Sequence, residues 1–574
     1  MAEELNVTYE RIDDIPLLIG LMMRLKMPEI LDEHLGHHGN HEGLSNGWLV
    51  VVWLAYILSE GDHCKSHVED WVWKRRHMLA RLIGQPLRRV DFSDDRLGIV
   101  LRRLSRASTW AAVEMALWHS TVTVYEIEIK GVRLDSTTSY GYHQVTEDGV
   151  MQFGHSKDHR PDLPQLKLMA AAAEPAGHLL ACDVHEGQKA DDLLYLPLIK
   201  RVRHLLGRTG LLYAGDCKMA ALAIRADLAA QGDYYLTPLP LTGKTAAEFD
   251  TWVAAIVEGA QPAELIWAEQ QLLGAGYEFE RQLTAPVGDQ AVTWLERVQL
   301  VRSLELARKQ NQQLAQHLAQ AEAALRKLTP PPGRGRRQYR QETALQTAIE
   351  QVLVRYNVTG LLAVSWQREE QRQTRYVGPG RGSAHRPTRT DVKVRYVITD
   401  LQRNEAAIQA RQHRLGWRVY ATNLPKEQCS LAWLVRHYRG GYCLERDFHL
   451  VKDKPLGISP LYVRLDSQII GLTHLLTLAL RLLTLIETQV RRDLAEHEQT
   501  LVGLYAGQPT RATNQPTATR LLTALARAEI TLSRIEIGSQ IYWHITPVPE
   551  LLSRVLAFLG LSVSLYTRLV ENST

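Results

Sequence analysis

Three acidic residues in this chain stand where a carboxylate can do chemistry. Asp135 ends a short apolar run (132–134), Asp216 ends GLLYAGD (210–216), and Glu445 lies within LAWLVRHYRGGYCLERDFHLVK (431–452). Read as one helix, that last stretch places Tyr438, Glu445 and Lys452 at seven-residue steps, which two helical turns bring onto one stripe. Carboxylates delivered by two strands and a helix suit a pair of magnesium ions. Such ions prefer oxygen ligands, and two of them clamp the attacking and leaving oxygens of an in-line displacement at phosphorus. On this reading Asp135 bridges the ions from the central strand, Asp216 is the second ligand and Glu445 completes the site. Lys452 then meets a phosphate beside the scissile bond, and Tyr438 stacks or hydrogen-bonds along the same strand. Each residue has a plainer alternative: a turn or cap at Asp135, an N-cap at Asp216, a solvated helix face for Glu445 and Lys452. The combination carries the reading, not any one of them.

The elements that must position these residues follow from hydrophobic periodicity. From about residue 121 the pattern turns strand-like, with YEIEI (125–129) running on to 132–135, then 150–156 and 178–183. A helix over 191–206, a strand over 210–216, a helix over 219–230 and a strand over 233–237 follow. Three strands, helix, strand, helix, strand predicts a mixed α/β sheet with helices on its faces, occupying 121–239. Residues 1–120 read as helical throughout, with helices near 17–25 (entered through Pro16), 48–58 and 91–104. Their basic patches, WVWKRR (71–76) and Arg96, Arg102 and Arg103, fit either a DNA-end-binding module or a bundle with a solvated face.

Residues 240–425 read as a mostly β insertion. Strands fall near 277–284, 292–301, 360–367, 392–399 and 417–422. Leu314, Leu318, Ala321, Leu325 and Leu328, answered by Leu345, Ile349, Val352 and Tyr356, step as the two seams of a helical hairpin. Its tip, TPPPGRGRRQYR (329–340), holds Arg334, Arg336, Arg337 and Arg340 with no acid among them, and 374–393 is a second basic loop. Two basic loops in one insertion favour phosphate contacts over simple solvation. The sheet region resumes at 426–466 with the acid-bearing helix, and 467–574 reads as a helical buttress.

Composition sets outer bounds. A chain of 574 residues needs two to four domains, and 45% hydrophobic with 23% charged residues is ordinary for a globular protein. A net charge of +4 makes any basic surface a local one. Five cysteines with no CxxC spacing fit reduced thiols in the cytoplasm. The apolar run at 48–58 is shorter than the roughly 20 residues a bilayer span needs, and His474 and Arg481 interrupt 469–486, so a soluble protein without a membrane partner is expected.

RLDSTTSYGY, AGDCKM and YRGGYCLERDFHLVK resemble the three acidic motifs of DDE transposases from bacterial insertion sequences. More narrowly they resemble the insertion-sequence-four superfamily, which has a β-rich insertion between its second and third acids. GHSKDHRPDLPQLK (154–167) and the stretch around Asp94, Asp95 and Arg96 are similar to one branch of that group, and the resemblance covers nearly the whole chain. It implies a ribonuclease-H-like core performing cut-and-paste transposition: cleavage at terminal inverted repeats and strand transfer into target DNA. It further implies two Mg2+ ions (Mn2+ able to substitute), double-stranded DNA as partner, and a homodimer in the DNA complex, in the cytoplasm at the bacterial nucleoid. Asp135, Asp216 and Glu445 match the catalytic, metal-binding triad, with Tyr438 and Lys452 as DNA-contacting supports. His159 and Arg160, with Lys157 and Lys167, would face the DNA backbone, and Trp294 would be the aromatic that holds a flipped base. One position departs from the motif, which is tyrosine, two residues, arginine, three residues, glutamate, six residues, lysine: the arginine is Gly441 here. Arg439 sits about 200° round a helix from it and is a poor direct substitute. Two other readings stand beside this one, a non-catalytic DNA-binding remnant and a ribonuclease-H-fold nuclease on other substrates. The intact triad weighs against the first and the basic insertion against the second.

Overall fold

The computed structural model describes residues 5–36, 42–379, 385 and 387–571. They fall into two units, one of Met1–Thr237, Leu283–Trp294 and His437–Thr574, the other of Pro238–Gln282 and Leu295–Arg436.

The first unit opens with helices that include α1 (Asn46–Glu60), α2 (Asp94–Leu104) and α3 (Ala107–Tyr125). α1 is apolar nearly all round and correspondingly buried, and the Ser45 hydroxyl caps it by accepting the Trp48 N–H. α3 runs through Tyr125, so the YEIEI alternation does not make a strand. The Tyr125 ring is buried and its hydroxyl donates to the Leu559 carbonyl at 2.9 Å, a tertiary contact that outweighs local alternation.

The central sheet follows, in the order β1 (Gly131–Tyr140), β2 (Gln165–Glu174), β3 (His178–Glu186), α4 (Asp192–Leu206), β4 (Leu212–Ala214), α5 (Leu222–Ala230) and β5 (Tyr234–Pro238). Its strands lie side by side as β3-β2-β1-β4-β5. β1, β2 and β3 pair antiparallel, while β4 and β5 extend the sheet parallel to β1. This is a mixed α/β architecture, with helices flanking a mixed sheet. Three strands do precede the first helix, but one of them is not the predicted one. Residues 150–156 contribute a single bridge, Gln152 to Gln165. The missing strand is QLKLMAAAAE, wholly buried although its alanines favour helix. Burial on both faces selects the strand, and small side chains let α4 and the helices opposite approach it.

The second unit holds β6 (Glu264–Ala268), most of β7 (Gln271–Val287) and β8 (Gln290–Ser303), whose adjoining ends over Leu283–Trp294 belong to the first unit, then α6 (Leu304–Leu328), α7 (Glu342–Arg355), β9 (Leu362–Tyr376), β10 (Thr388–Arg403) and β11 (Trp417–Thr422). Within it β11, β8, β7 and β6 are successive neighbours. α6 and α7 form a hairpin through Leu314, Leu318, Ala321 and Leu325 against Leu345 and Ile349. The stretch 374–393, expected as a basic loop, is mostly strand. β9 and β10 pair from Leu362 with Arg403 out to Tyr376 with Thr388, a two-stranded ribbon. Residues 380–384 and 386 of that stretch lie outside the described residues.

The chain then returns to the first unit through α8 (Leu431–Arg439), followed by α9 (Cys443–Lys452) and α10 (Asp466–Glu496). α10 is long and apolar enough to cross a membrane, yet 89% of its most apolar window is buried inside the fold. Arg481 there donates to the Leu179 carbonyl at 2.6 Å, and His474 stacks on Trp110 with ring centroids 4.1 Å apart. The chain ends are not purely helical, as the sequence had suggested. Leu5–Arg11, Thr531–Ile537 and Gln540–Ile545 form a three-stranded antiparallel sheet that joins the start of the chain to its end.

Candidate active site

Strand alternation decides which side chains of β1 can meet. Arg133, Asp135, Thr137 and Ser139 point to one face, Leu134, Ser136 and Thr138 to the other. Asp135 stands directly across from Ala170, and Thr137 across from Leu168. Leu168 and Ala170 share one apolar core with Leu444, Phe448 and Val451 of α9, so α9 lies on the Asp135 face. Glu445, next in sequence to that anchor, is thereby carried to the same side. Asp135 and Glu445 line a common cleft of about 660 Å³ together with Lys157, Asp158 and Lys452.

Asp216 arrives from the neighbouring strand. β4 pairs with β1 in parallel, Ala214 opposite Arg133, so Asp135 and Asp216 each lie two residues past that pair. The Tyr195 hydroxyl of α4 donates to Asp216 Oδ1 at 2.6 Å and the Lys218 N–H to the same oxygen at 2.9 Å, which fixes the carboxylate. Burial pushes the Tyr195 hydroxyl well above its ordinary range, and the negative charges of Asp216 and Asp135 push the same way. Tyr195 therefore stays a neutral donor.

The two aspartates feel one another. Burial raises Asp135 above 3.8 and the Asp216 charge adds to the rise, while the Lys157 ammonium and the Ser136 N–H oppose it. Lys157 Nζ sits 3.5 Å from Asp135 Oδ1 and donates to the Ser136 carbonyl and hydroxyl at 2.5 and 2.8 Å. Ser136 Oγ in turn donates to Asp191 at 3.0 Å. Burial alone would raise Asp191, but Lys167 and Lys157 hold it below the usual range, so it stays ionised. Lys452 Nζ is held by Asp158 at 2.5 Å across the cleft. Among the described residues no group of three His, Cys, Asp or Glu side chains is gathered tightly enough to hold a metal ion.

The single helix predicted over 431–452 is two. α8 stops at Arg439 and α9 begins at Cys443, with Gly440 and Gly441 between them. Glu445 and Lys452 remain two turns apart on α9, but Tyr438 leaves their stripe. Its ring instead lies 5.8 Å from the Arg133 guanidinium. Arg133 explains the break. A Cβ at Gly441 would fall 1.8 Å from the Arg133 guanidinium carbon, so a side chain there and Arg133 exclude one another. Arg133 is itself buried, donating to Glu174 at 2.6 Å and to the His437 carbonyl at 3.2 Å, while His437 Nε2 lies 2.9 Å from Glu174. Burial would raise Glu174, but His437 and Arg133 outweigh it and hold the carboxylate below its usual range. The motif's arginine position is thus filled in space by an arginine from the sheet. That guanidinium is buried against Glu174 and the His437 carbonyl.

The remaining predicted residues scatter. His159 is exposed with φ +57°, and Arg160 makes a two-pronged pair with Asp162 at 2.8 and 2.7 Å beside Tyr140. Trp294 is buried and its N–H donates to the Tyr235 hydroxyl at 2.9 Å, so its ring is packed inside and not presented to a base. Arg334, Arg336, Arg337 and Arg340 are all exposed at the hairpin tip in the second unit. Tyr195, Asp191, Asp158 and the Arg133–Glu174–His437 group had escaped the sequence reading. For Asp158 the signal was available, in the polar run GHSKDHRPD that supplies Lys157. The others act through pairs 21 to 304 residues apart, which no local pattern reveals.

No protein-family model matches this chain, and no curated protein matches it. Among solved structures it is similar to the piggyBac transposase, in a cryo-EM structure of its synaptic complex with hairpin DNA, at 9% identity and a TM-score of 0.27. The match covers 50% of this chain and 58% of that one, less than two thirds of its length. Likeness at this level assigns no roles.

Proposed function

We propose that the protein is a DNA transposase of the DDE type, built on a ribonuclease-H-like core, with Asp135, Asp216 and Glu445 as its catalytic carboxylates. One observation carries the reading. Asp135 on the central strand and Asp216 beyond its parallel neighbour are electrostatically coupled, and Glu445 shares the cleft of Asp135. The strand order β3-β2-β1-β4-β5, antiparallel then parallel, supports the fold assignment, and the three sequence motifs support the family.

The donor chemistry fits magnesium. The groups are oxygen-only, and a cation near Asp135 and Asp216 would offset both the cost of burying charge and the mutual repulsion that raise Asp135. Magnesium commonly binds through one or two carboxylates, substrate phosphate and water, so a closed protein cage is not required. Asp135 and Asp216 would be the principal ligands and Glu445 the third. Two such ions would supply Lewis-acid stabilisation of the attacking and leaving oxygens in phosphodiester hydrolysis and transesterification.

The chain's own residues do the rest. Tyr195 and the Lys218 N–H fix Asp216, and Lys157 offsets the charge of Asp135. Lys452, paired with Asp158, is placed to exchange that partner for a DNA phosphate. Joining two ends calls for a dimer on the DNA, and the protein works at the nucleoid of a bacterial cytoplasm. The test is cleavage and strand transfer on a duplex carrying the inverted repeats that flank the reading frame, with Mg2+ or Mn2+. Asp135→Asn, Asp216→Asn and Glu445→Gln should each abolish both steps. Wild-type cleavage by all three variants would refute the assignment.

A further inference from the structure

The second unit carries a feature that the catalytic cleft does not use. The sequence over 362–403, which includes β9 and β10, holds nine Lys and Arg against four Asp and Glu, an excess of five in a chain whose total is +4. Near its base the ribbon rests on the helical hairpin through Trp366, Tyr396 and Ile398, and Tyr396 bonds back to Tyr339. Farther out the packing stops. Residues 371–376 of β9 and 388–390 of β10 are all exposed, on both faces. A two-stranded ribbon bare on both sides is marginal in water, so this segment is made to be covered.

Its register sorts the two faces. Directly paired residues share a face, so Arg368 with Tyr396 and Arg372 with Val392 continue the side that meets the hairpin. The opposite side pairs Gln371 with Lys393, Gln373 with Asp391 and Arg375 with Arg389. Glutamine, arginine and lysine at alternate positions are the side chains that bond base edges and phosphates. Their internal partners hold them weakly. Arg389, 80% exposed, is paired with Asp391 at 2.9 Å, and Arg375 donates to Gln373 at 3.0 Å. Exposed pairs of this kind contribute little, so exchanging them for phosphate costs little. Dimensions agree as well. Two strands about 4.8 Å apart, with side chains, fit the roughly 12 Å width of the B-DNA major groove.

We infer that the distal β9–β10 ribbon is a duplex-DNA reader. Its Gln371 and Gln373 enter the major groove, with Arg375, Arg389 and Lys393 reaching the flanking phosphates. The inference rests on the DNA-transposase reading and adds to it a sequence-reading surface outside the cleft.

The experiment uses the full chain, a selection from random-sequence duplexes, and titrations of the selected duplex at several salt concentrations. Three substitutions together, Arg375→Gln, Arg389→Gln and Lys393→Gln, should lower the salt slope by about 2.7, at about 0.9 for each phosphate no longer neutralised. From 50 to 200 mM salt the parent should therefore lose roughly 40-fold more affinity than the variant. Gln371→Ala with Gln373→Ala should leave the slope alone and flatten the selected base preference. Arg389→Lys should keep the slope, which separates the effect of charge from that of misfolding. An unchanged slope in a triple variant whose parent still binds and cuts DNA would overturn the ribbon's role and leave the transposase reading standing. A parent that neither binds nor cuts any duplex would overturn both. A triple variant that changes only the oligomeric state would reassign the ribbon to contact with a second copy.

Discussion

The cleft of the first unit and the ribbon of the second handle charge in opposite ways. Around Asp135 three carboxylates each have a cation within a few ångströms: Lys157 faces Asp135, Lys167 faces Asp191, Lys452 faces Asp158. The ribbon carries an excess of cations, and its described distal residues are exposed on both faces. A site that must hold one geometry through a reaction benefits from fixed, half-buried partners, because desolvated pairs resist rearrangement. A surface that must find a polyanion benefits from loosely held charge, which reaches outward and is exchanged cheaply. Chemistry and recognition are therefore expected to separate cleanly under mutation.

The sharpest break comes from the carboxylates. Asp135→Asn or Asp216→Asn should cut cleavage by about a thousandfold or more, the scale of losing several kcal/mol of metal-assisted stabilisation. Binding of uncut duplex, read by anisotropy, should stay within a few-fold of the parent. A parallel fall in binding would mean that cleft and recognition surface are not separable. The ribbon triple substitution is the mirror image, with a changed salt slope and, at saturating DNA, a cleavage rate near the parent's.

A smaller effect tests the glycine turn. Gly441→Ala should destabilise the first unit by about 1–3 kcal/mol, the usual cost of overpacking, because the new methyl meets the Arg133 guanidinium. Denaturant unfolding measures it. Pairing the substitution with Arg133→Ala should recover less than full stability, since Glu174 then loses one of its two partners.

The smallest effect is a pH signature. Burial raises Asp135 above 3.8 in the folded state, so the folded chain holds that proton more tightly than the unfolded one. The stability this gives is present below pH 3.8 and is lost as pH rises through the folded pKa. Asp135→Asn, measured with chelator present, should thus raise Tm at neutral pH and give no gain below pH 3.8. A gain of equal size at both would place its origin outside ionisation.

Legibility in the sequence followed the same division. Asp135 and Asp216 could be read because each follows a short strand-like run, a local signal, although Asp135 proves to lie in the middle of β1 and Asp216 two residues beyond β4. α6 and α7 could be read because their leucines step at helical spacing. β2 could not, since its alanines favour helix and only burial on both faces makes them strand. The break between α8 and α9 was spelled by two glycines but decided by Arg133, about three hundred residues earlier in the chain. The ribbon looked like a loop because its alternation is of polar with polar, so no apolar period marks a strand. The same property suits it to the proposed contact with DNA.

The small sheet that joins the chain's ends sets an order of events during synthesis. Leu5–Arg11 leaves the ribosome well ahead of its partner Thr531–Ile537, which is made some 520 residues later. At 5–20 residues per second the first strand waits roughly 25 to 100 s with its edge unpaired. The first unit therefore closes only once translation has passed residue 537. A message cut short between residues 445 and 531 would yield Asp135, Asp216 and Glu445 without the closing strand.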